Sequence, residues 1–108
     1  RMQRSNVEKL TNQLEAEDET AVEAIRKDSF SIKMMRFESG DEDPMDAHDE
    51  KEVYHIDSGS ATLATEDESF GVESGDLVYL DAGTDHKFTD FDEEFVVMAM
   101  YVPAEGAN

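Results

Sequence analysis

The sequence predicts an all-β domain, a small sandwich or barrel, preceded by one short helical segment. Three observations predict it. Apolar and polar residues alternate through most of the chain after residue 19. Turn residues interrupt that pattern about every 8–12 positions, the spacing of short strands in a closed or doubled sheet. The run Phe-Val-Val-Met-Ala-Met-Tyr-Val at 95–102 is apolar without alternation, as a strand buried on both faces would be. A chain of 108 residues has room for one such domain.

The elements follow in order. Ser5-Asn6-Val7-Glu8 fits a capping box, and Leu10 and Leu14 share a helical face behind it, so a helix is expected near residues 6–14. Residues 15–19 are polar and read as a connection, which makes 1–19 an N-terminal segment and 20–108 the barrel domain. Thr20–Arg26 and Phe30–Phe37 read as strands around the turn Lys27-Asp28-Ser29, and residues 38–47 as a loop. Glu52–Asp57 and Ala61–Thr65 are expected as two strands around Ser58-Gly59-Ser60. Short strands follow at Ser69–Val72, Leu77–Leu80 and Lys87–Phe91, and a longer one at Glu94–Val102 forms the centre of the core. Closing these strands into a barrel or jelly roll limits exposed sheet edges.

Charge narrows the partners. There are 28 Asp and Glu against 9 Lys and Arg, a formal charge of −19, and 38% of residues are hydrophobic. Such a surface repels polyanions, and the cations are scattered, so neither nucleic acid nor an anionic membrane is an expected partner. The longest apolar run is far shorter than the roughly twenty residues that span a bilayer. Nothing near the first residue resembles a signal peptide, and a cytoplasmic protein is expected. The absence of Cys excludes disulfides, a thiol nucleophile and Cys-ligated zinc. The alternating segments argue against disorder, and no single acidic patch stands out. Acids spread this evenly, with only five Lys, are similar to those of haloarchaeal cytosolic proteins, in which molar salt screens surface repulsion.

Chemistry is confined to few residues. The three histidines are His48, His55 and His86. In an extended segment Asp46, His48, Glu50, Glu52, Tyr54 and Ile56 share one face, and His55 points to the other with Val53. An imidazole and a carboxylate four residues apart supply two metal ligands, and His86 supplies a third from a distant strand. Two His and one carboxylate suit Fe(II) or Mn(II) and leave coordination positions open. The plainer reading of His48 is a solvated or salt-bridged residue among acids. Glu50 is expected to face solvent, and His55 to be structural or exposed.

These residues also carry a resemblance. Gly40-x5-Asp46-x-His48-x3-Glu52-x6-Gly59 resembles the first cupin motif at every spacing, with Asp46 in place of the usual first His. Gly75-x5-Asp81-x-Gly83-x2-His86-x3-Asp90 resembles the second, with Asp81 for the usual Pro and Asp90 for the usual Asn. The resemblance implies a cupin jelly-roll β-barrel in which His48, Glu52 and His86 hold a divalent Fe, Mn, Ni or Zn ion. Asp46 is either a fourth ligand or leaves a position open. Tyr54 and Phe88, each two residues from a ligand, are candidate pocket walls, as are Met98 and Met100 on one face of the last strand. Aromatic residues inside a small barrel are otherwise simply its core.

The fold does not fix the reaction. One reading is a small metal-dependent enzyme, an oxygenase or isomerase-type cupin, whose ion polarises an oxygen ligand of the substrate. Beyond the ligands, only Glu50 and Tyr54 offer themselves as acid or base. The other reading is a small-molecule binding or sensing barrel without turnover. Hydrophobic side chains on more than one sheet surface, Val53 and the 95–102 run, predict an isologous homodimer.

Overall fold

The computed structural model describes residues 1–43 and 47–107. A helix, α1 (Val7–Glu17), precedes six strands: β1 (Ala21–Arg26), β2 (Ser31–Phe37), β3 (Lys51–Thr65), β4 (Ser69–Glu73), β5 (Leu77–Leu80) and β6 (His86–Val102). They pair antiparallel in the order β1-β2-β6-β3-β4, with β5 against the first half of β3. The β6 strand is central, as its two-sided apolar run predicts, with β2 on one side and β3 on the other. The result is an all-β jelly-roll arrangement with one N-terminal helix.

Eight short strands are expected and six stand among the described residues, because two expected interruptions are bulges within long strands. Ser58-Gly59-Ser60 lies inside β3, and residues 92–93 lie inside β6. Ser58 pairs with Val96 and Ser60 with Asp92, so Glu93, Glu94 and Phe95 together oppose the single Gly59. Bulges of this kind bend a strand without ending it. Gly59 has φ +82°, and a Cβ there would collide with the Glu94 carbonyl oxygen. Glu93 sits at φ +53° on the facing strand.

The inner face carries the main core: Met35 and Phe37 of β2, Tyr54 and Ile56 of β3, and Phe95, Val97, Ala99 and Tyr101 of β6, closed by Leu63, Leu80, Phe88 and Phe91. Phe37 stacks on Phe91 at 4.8 Å, and the next ring inward, Phe95, lies tilted 5.7 Å from Phe91. The opposite face of β2 and β6 is covered by α1. Leu14, Met34 and Val96 form a second buried cluster there, joined by Leu10, Val22 and Met98.

The helix starts one residue later than a Ser5 capping box would place it. Asn6 is the cap, its side chain accepting from the Lys9 amide at 2.9 Å, and the Ser5 hydroxyl reaches the Ala24 carbonyl instead. The helix also runs past residue 14 into Glu15, Ala16 and Glu17, good helix formers, and ends at Asp18 in the left-handed region. Arg36, nearly buried beneath it, is held by Glu94 and Glu38 at 2.6 Å each, with Glu15 at 3.8 Å.

Candidate metal centre

Three parts of the chain converge at one end of the barrel. His48 precedes β3, Glu52 is the second residue of β3, and His86 opens β6. The Gly83 amide donates to the His48 carbonyl at 2.6 Å, tying the turn that leads into His86 to the segment that carries His48. One ligand atom from each of His48, Glu52 and His86 can be chosen so that all lie within 4.8 Å of one another. Glu52 and His86 are 1% and 5% exposed, while His48 is half-buried.

The two carboxylate oxygens of Glu52 differ. Oε2 accepts the Tyr54 hydroxyl at 2.6 Å and lies 3.1 Å from His86 Nε2. Oε1 lies 3.3 Å from His48 Nε2, yet it is buried and has no hydrogen-bond partner. A buried carboxylate oxygen without a partner is costly, and a cation offsets the cost. On the other side, His86 Nδ1 is 2.8 Å from the Thr84 carbonyl. A carbonyl only accepts, so Nδ1 carries a proton, and Nε2, facing Glu52, is the nitrogen that must give up its proton before it can bind an ion. A Glu52 oxygen and one nitrogen from each imidazole thus lie within 4.8 Å of one another, and these residues fit a divalent transition ion in type, number and spacing.

The protonation balance reflects the same crowding. Burial pulls the His86 pKa down, but hydrogen bonds to Glu52 and to the Thr84 carbonyl outweigh it, and the net shift is upward. Burial pushes Glu52 up, but hydrogen bonds with His86 and Tyr54 outweigh it and leave it below the ordinary carboxylate value. Tyr54 and Tyr101 are both pushed well up, first by burial and then by the Glu52 charge, so both hydroxyls keep their protons.

Among the expected pocket residues, Tyr54 faces the centre, its hydroxyl 2.8 Å from His86 Nε2. Phe88 is core filling behind it, edge-on to Tyr54 at 5.0 Å and tilted against Phe95 at 5.1 Å. Met98 does not line this pocket: it lies on the opposite face of β6 with the α1 cluster, and Met100 shares that face two residues on. The inward residues of that strand are Phe95, Val97, Ala99 and Tyr101. Glu50, expected in solvent, is 5% exposed, with a carboxylate oxygen 3.9 Å from His48 Nδ1. His55 faces outward, half-buried between Leu77 and Met98. Asp46 lies outside the described residues.

Tyr101 is the residue that sequence reasoning missed. It pairs across strands with Glu52, is 1% exposed, and sets its ring edge-on to His48 at 5.4 Å. Its signal was parity with Val97 and Ala99, masked by a run apolar on both faces. The Thr84 carbonyl, a main-chain group, left no trace in the sequence.

Comparison with known proteins agrees with this fold. An uncharacterized protein of Streptomyces coelicolor is 28% identical over 104 residues, covering 96% of this chain and 99% of its own. The chain superposes on an RmlC-like cupin from Shewanella frigidimarina with a TM-score of 0.73 at 15% identity, covering 80% of this chain and 77% of that one. It superposes on the DMSP lyase DddQ of Ruegeria pomeroyi with a TM-score of 0.71 at 21% identity, over 76% of this chain and only 45% of the lyase. At such identities these likenesses speak for the fold alone. The family model for the cupin domain matches residues 33–101, which span both motifs and all three clustered side chains, and the chain belongs to the cupin family.

Proposed function

We propose that this protein is a small metal-dependent cupin enzyme of the oxygenase or isomerase type, holding a divalent Fe, Mn, Ni or Zn ion through His48, Glu52 and His86. The observation that carries the reading is Glu52 Oε1, buried and unpartnered 3.3 Å from His48 Nε2, on a carboxylate whose other oxygen faces His86. Such an ion supplies a Lewis acid that polarises an oxygen ligand of the substrate. The chain's own contribution is to orient the His86 imidazole through the Thr84 carbonyl and to bury Glu52 beside Tyr54 and Tyr101. Asp46 is proposed as a fourth ligand from the segment before His48.

A second reading has an observation of its own. His86, Tyr54 and Glu52 already bond to one another, so a metal-free barrel that binds a small molecule without turnover is also chemically consistent. Elemental analysis of protein purified in high salt, without chelators or a metal-affinity column, separates the two. Near-stoichiometric metal that disappears in His48→Ala and Glu52→Ala supports the enzyme. A wild type that stays empty after reloading with Fe, Mn, Ni and Zn leaves the binding barrel.

The expected cytosolic setting in molar salt, a small-molecule partner and an isologous homodimer belong to the same proposal. No helix among the described residues is long and apolar enough to cross a membrane.

A further inference from the structure

The inner face of β2 places a cation beside the centre. Lys33 pairs with Ala99, which is fully buried, and shares the parity of Met35 and Phe37, both core residues. Its ammonium lies over the Tyr101 ring, 5.2 Å from the centroid, and the same ring meets His48 edge-on at 5.4 Å. Tyr101 itself is 1% exposed.

The present companion of Lys33 is a carboxylate. Glu105 Oε2 sits 3.2 Å from the ammonium, in a partly buried position. Its backbone is pinned independently, the amide donating to Ser31 Oγ at 2.9 Å and the carbonyl accepting from Arg26 at 2.9 Å. The side chain can therefore swing away without unfastening the segment that carries it. Glu50 and Asp43 add negative charge near Tyr101 and oppose any anion there. A divalent ion sets two positive charges against these carboxylates, and a ligand carboxylate that takes the place of Glu105 on Lys33 adds no negative charge there, so the position between metal and Lys33 opposes an anion least when the centre is loaded.

We propose that the pocket takes a small organic acid, whose distal carboxylate displaces Glu105 from Lys33 and accepts the Tyr101 hydroxyl, while its remaining oxygens face the His48–Glu52–His86 trio. The inference rests on the proposed metal centre and adds the substrate class. Lys33 is a specificity residue in this arrangement, and Glu105 is an internal competitor that keeps the ammonium partnered when no ligand is present.

The test compares wild type, Lys33→Gln, Lys33→Arg and Glu105→Gln, each loaded with Mn(II) in molar KCl and assayed for bound metal. Each is titrated calorimetrically with malate, which has a distal carboxylate, and with lactate, which lacks one. Malate affinity should fall about tenfold or more in Lys33→Gln and be retained in Lys33→Arg, with lactate unmoved. Glu105→Gln should tighten malate several-fold, because the competing carboxylate is gone. Malate that ignores Lys33→Gln, a loss shared equally by lactate, or a loaded wild type that binds no malate overturns the inference and leaves the metal centre standing. Should Lys33→Gln fail to fold, an unchanged malate affinity in Glu105→Gln overturns it as well. A wild type that takes up no metal overturns the centre itself, and the inference with it.

Discussion

Glu52 Oε2 receives the Tyr54 hydroxyl and faces His86, whereas Oε1, equally buried, receives nothing. In the metal-free protein a proton on His86 is the available positive charge, and two shifts record it. Glu52 is held below its ordinary value of 4.5, so its contribution to stability is present above that value and is lost as pH falls through the folded pKa. His86 is held above its ordinary value of 6.5, so its contribution is fully present below that value and is lost as pH rises through the folded pKa. The two overlap between pH 4.5 and 6.5. A metal ion needs the His86 Nε2 lone pair and competes with that proton. The melting-temperature gain on adding metal should therefore grow from about pH 5.5 to about pH 7.5, and vanish in Glu52→Gln. A gain that shrinks over this range would place the metal elsewhere. Tyr54→Phe removes the hydroxyl between Glu52 and His86 and should cost the metal-free protein about 1–3 kcal/mol in urea unfolding. A change within a few tenths would mean water replaces the hydroxyl.

The bend shared by β3 and β6 turns on Gly59, the single residue set against Glu93, Glu94 and Phe95. Gly59→Ala adds a side chain at positive φ and drives it into the Glu94 carbonyl, so it should destabilise by about 3 kcal/mol or more in urea unfolding. Leu14→Ala, which empties the only fully buried position of α1, should cost about 2–5 kcal/mol while leaving metal content unchanged. A loss of metal in that variant would show that the helix props the site through β2. The same elements show what a sequence discloses. Glu52 and Tyr54 were legible because parity within one strand is a local property, and the two motif spacings joined His48 to His86. Gly59 read as a turn because glycine serves both turns and bulges, and only the facing strand decides between them. Met98 and Met100 were placed inward because an apolar run on both faces carries no parity signal. The inward face is set by the pairing of Tyr101 with Glu52, a long-range register. Glu50 reads as solvent-facing when it is placed in the loop before the strand, although its parity with Glu52 already points inward.

Across the whole molecule, a formal charge of −19 opposes both compaction and self-association. At 0.1 M salt the screening length is about 10 Å, and at 1 M about 3 Å, so surface carboxylates repel one another far less in molar KCl. The outer face nevertheless carries an apolar strip. Leu77 and Tyr79 of β5 are 73% and 54% exposed. They lie in register beside His55 and Val53 of β3, and Val53 pairs in turn with Met100 of β6. An apolar strip on so acidic a body is best covered by an identical strip, because a two-fold contact sets both strips together and keeps most carboxylates at the rim. Screening and burial then act together. Sedimentation in molar KCl should give a dimer of the 12.1 kDa chain, and dilution into low salt should shift it toward monomer as the rim repulsion returns. Leu77→Asp should give a monomer even in molar KCl, with metal content intact, because the strip lies on the far side of β3 from Glu52. A wild type that sediments as a monomer in molar KCl would refute the dimer, and a dimer that survives Leu77→Asp would move its interface off this strip.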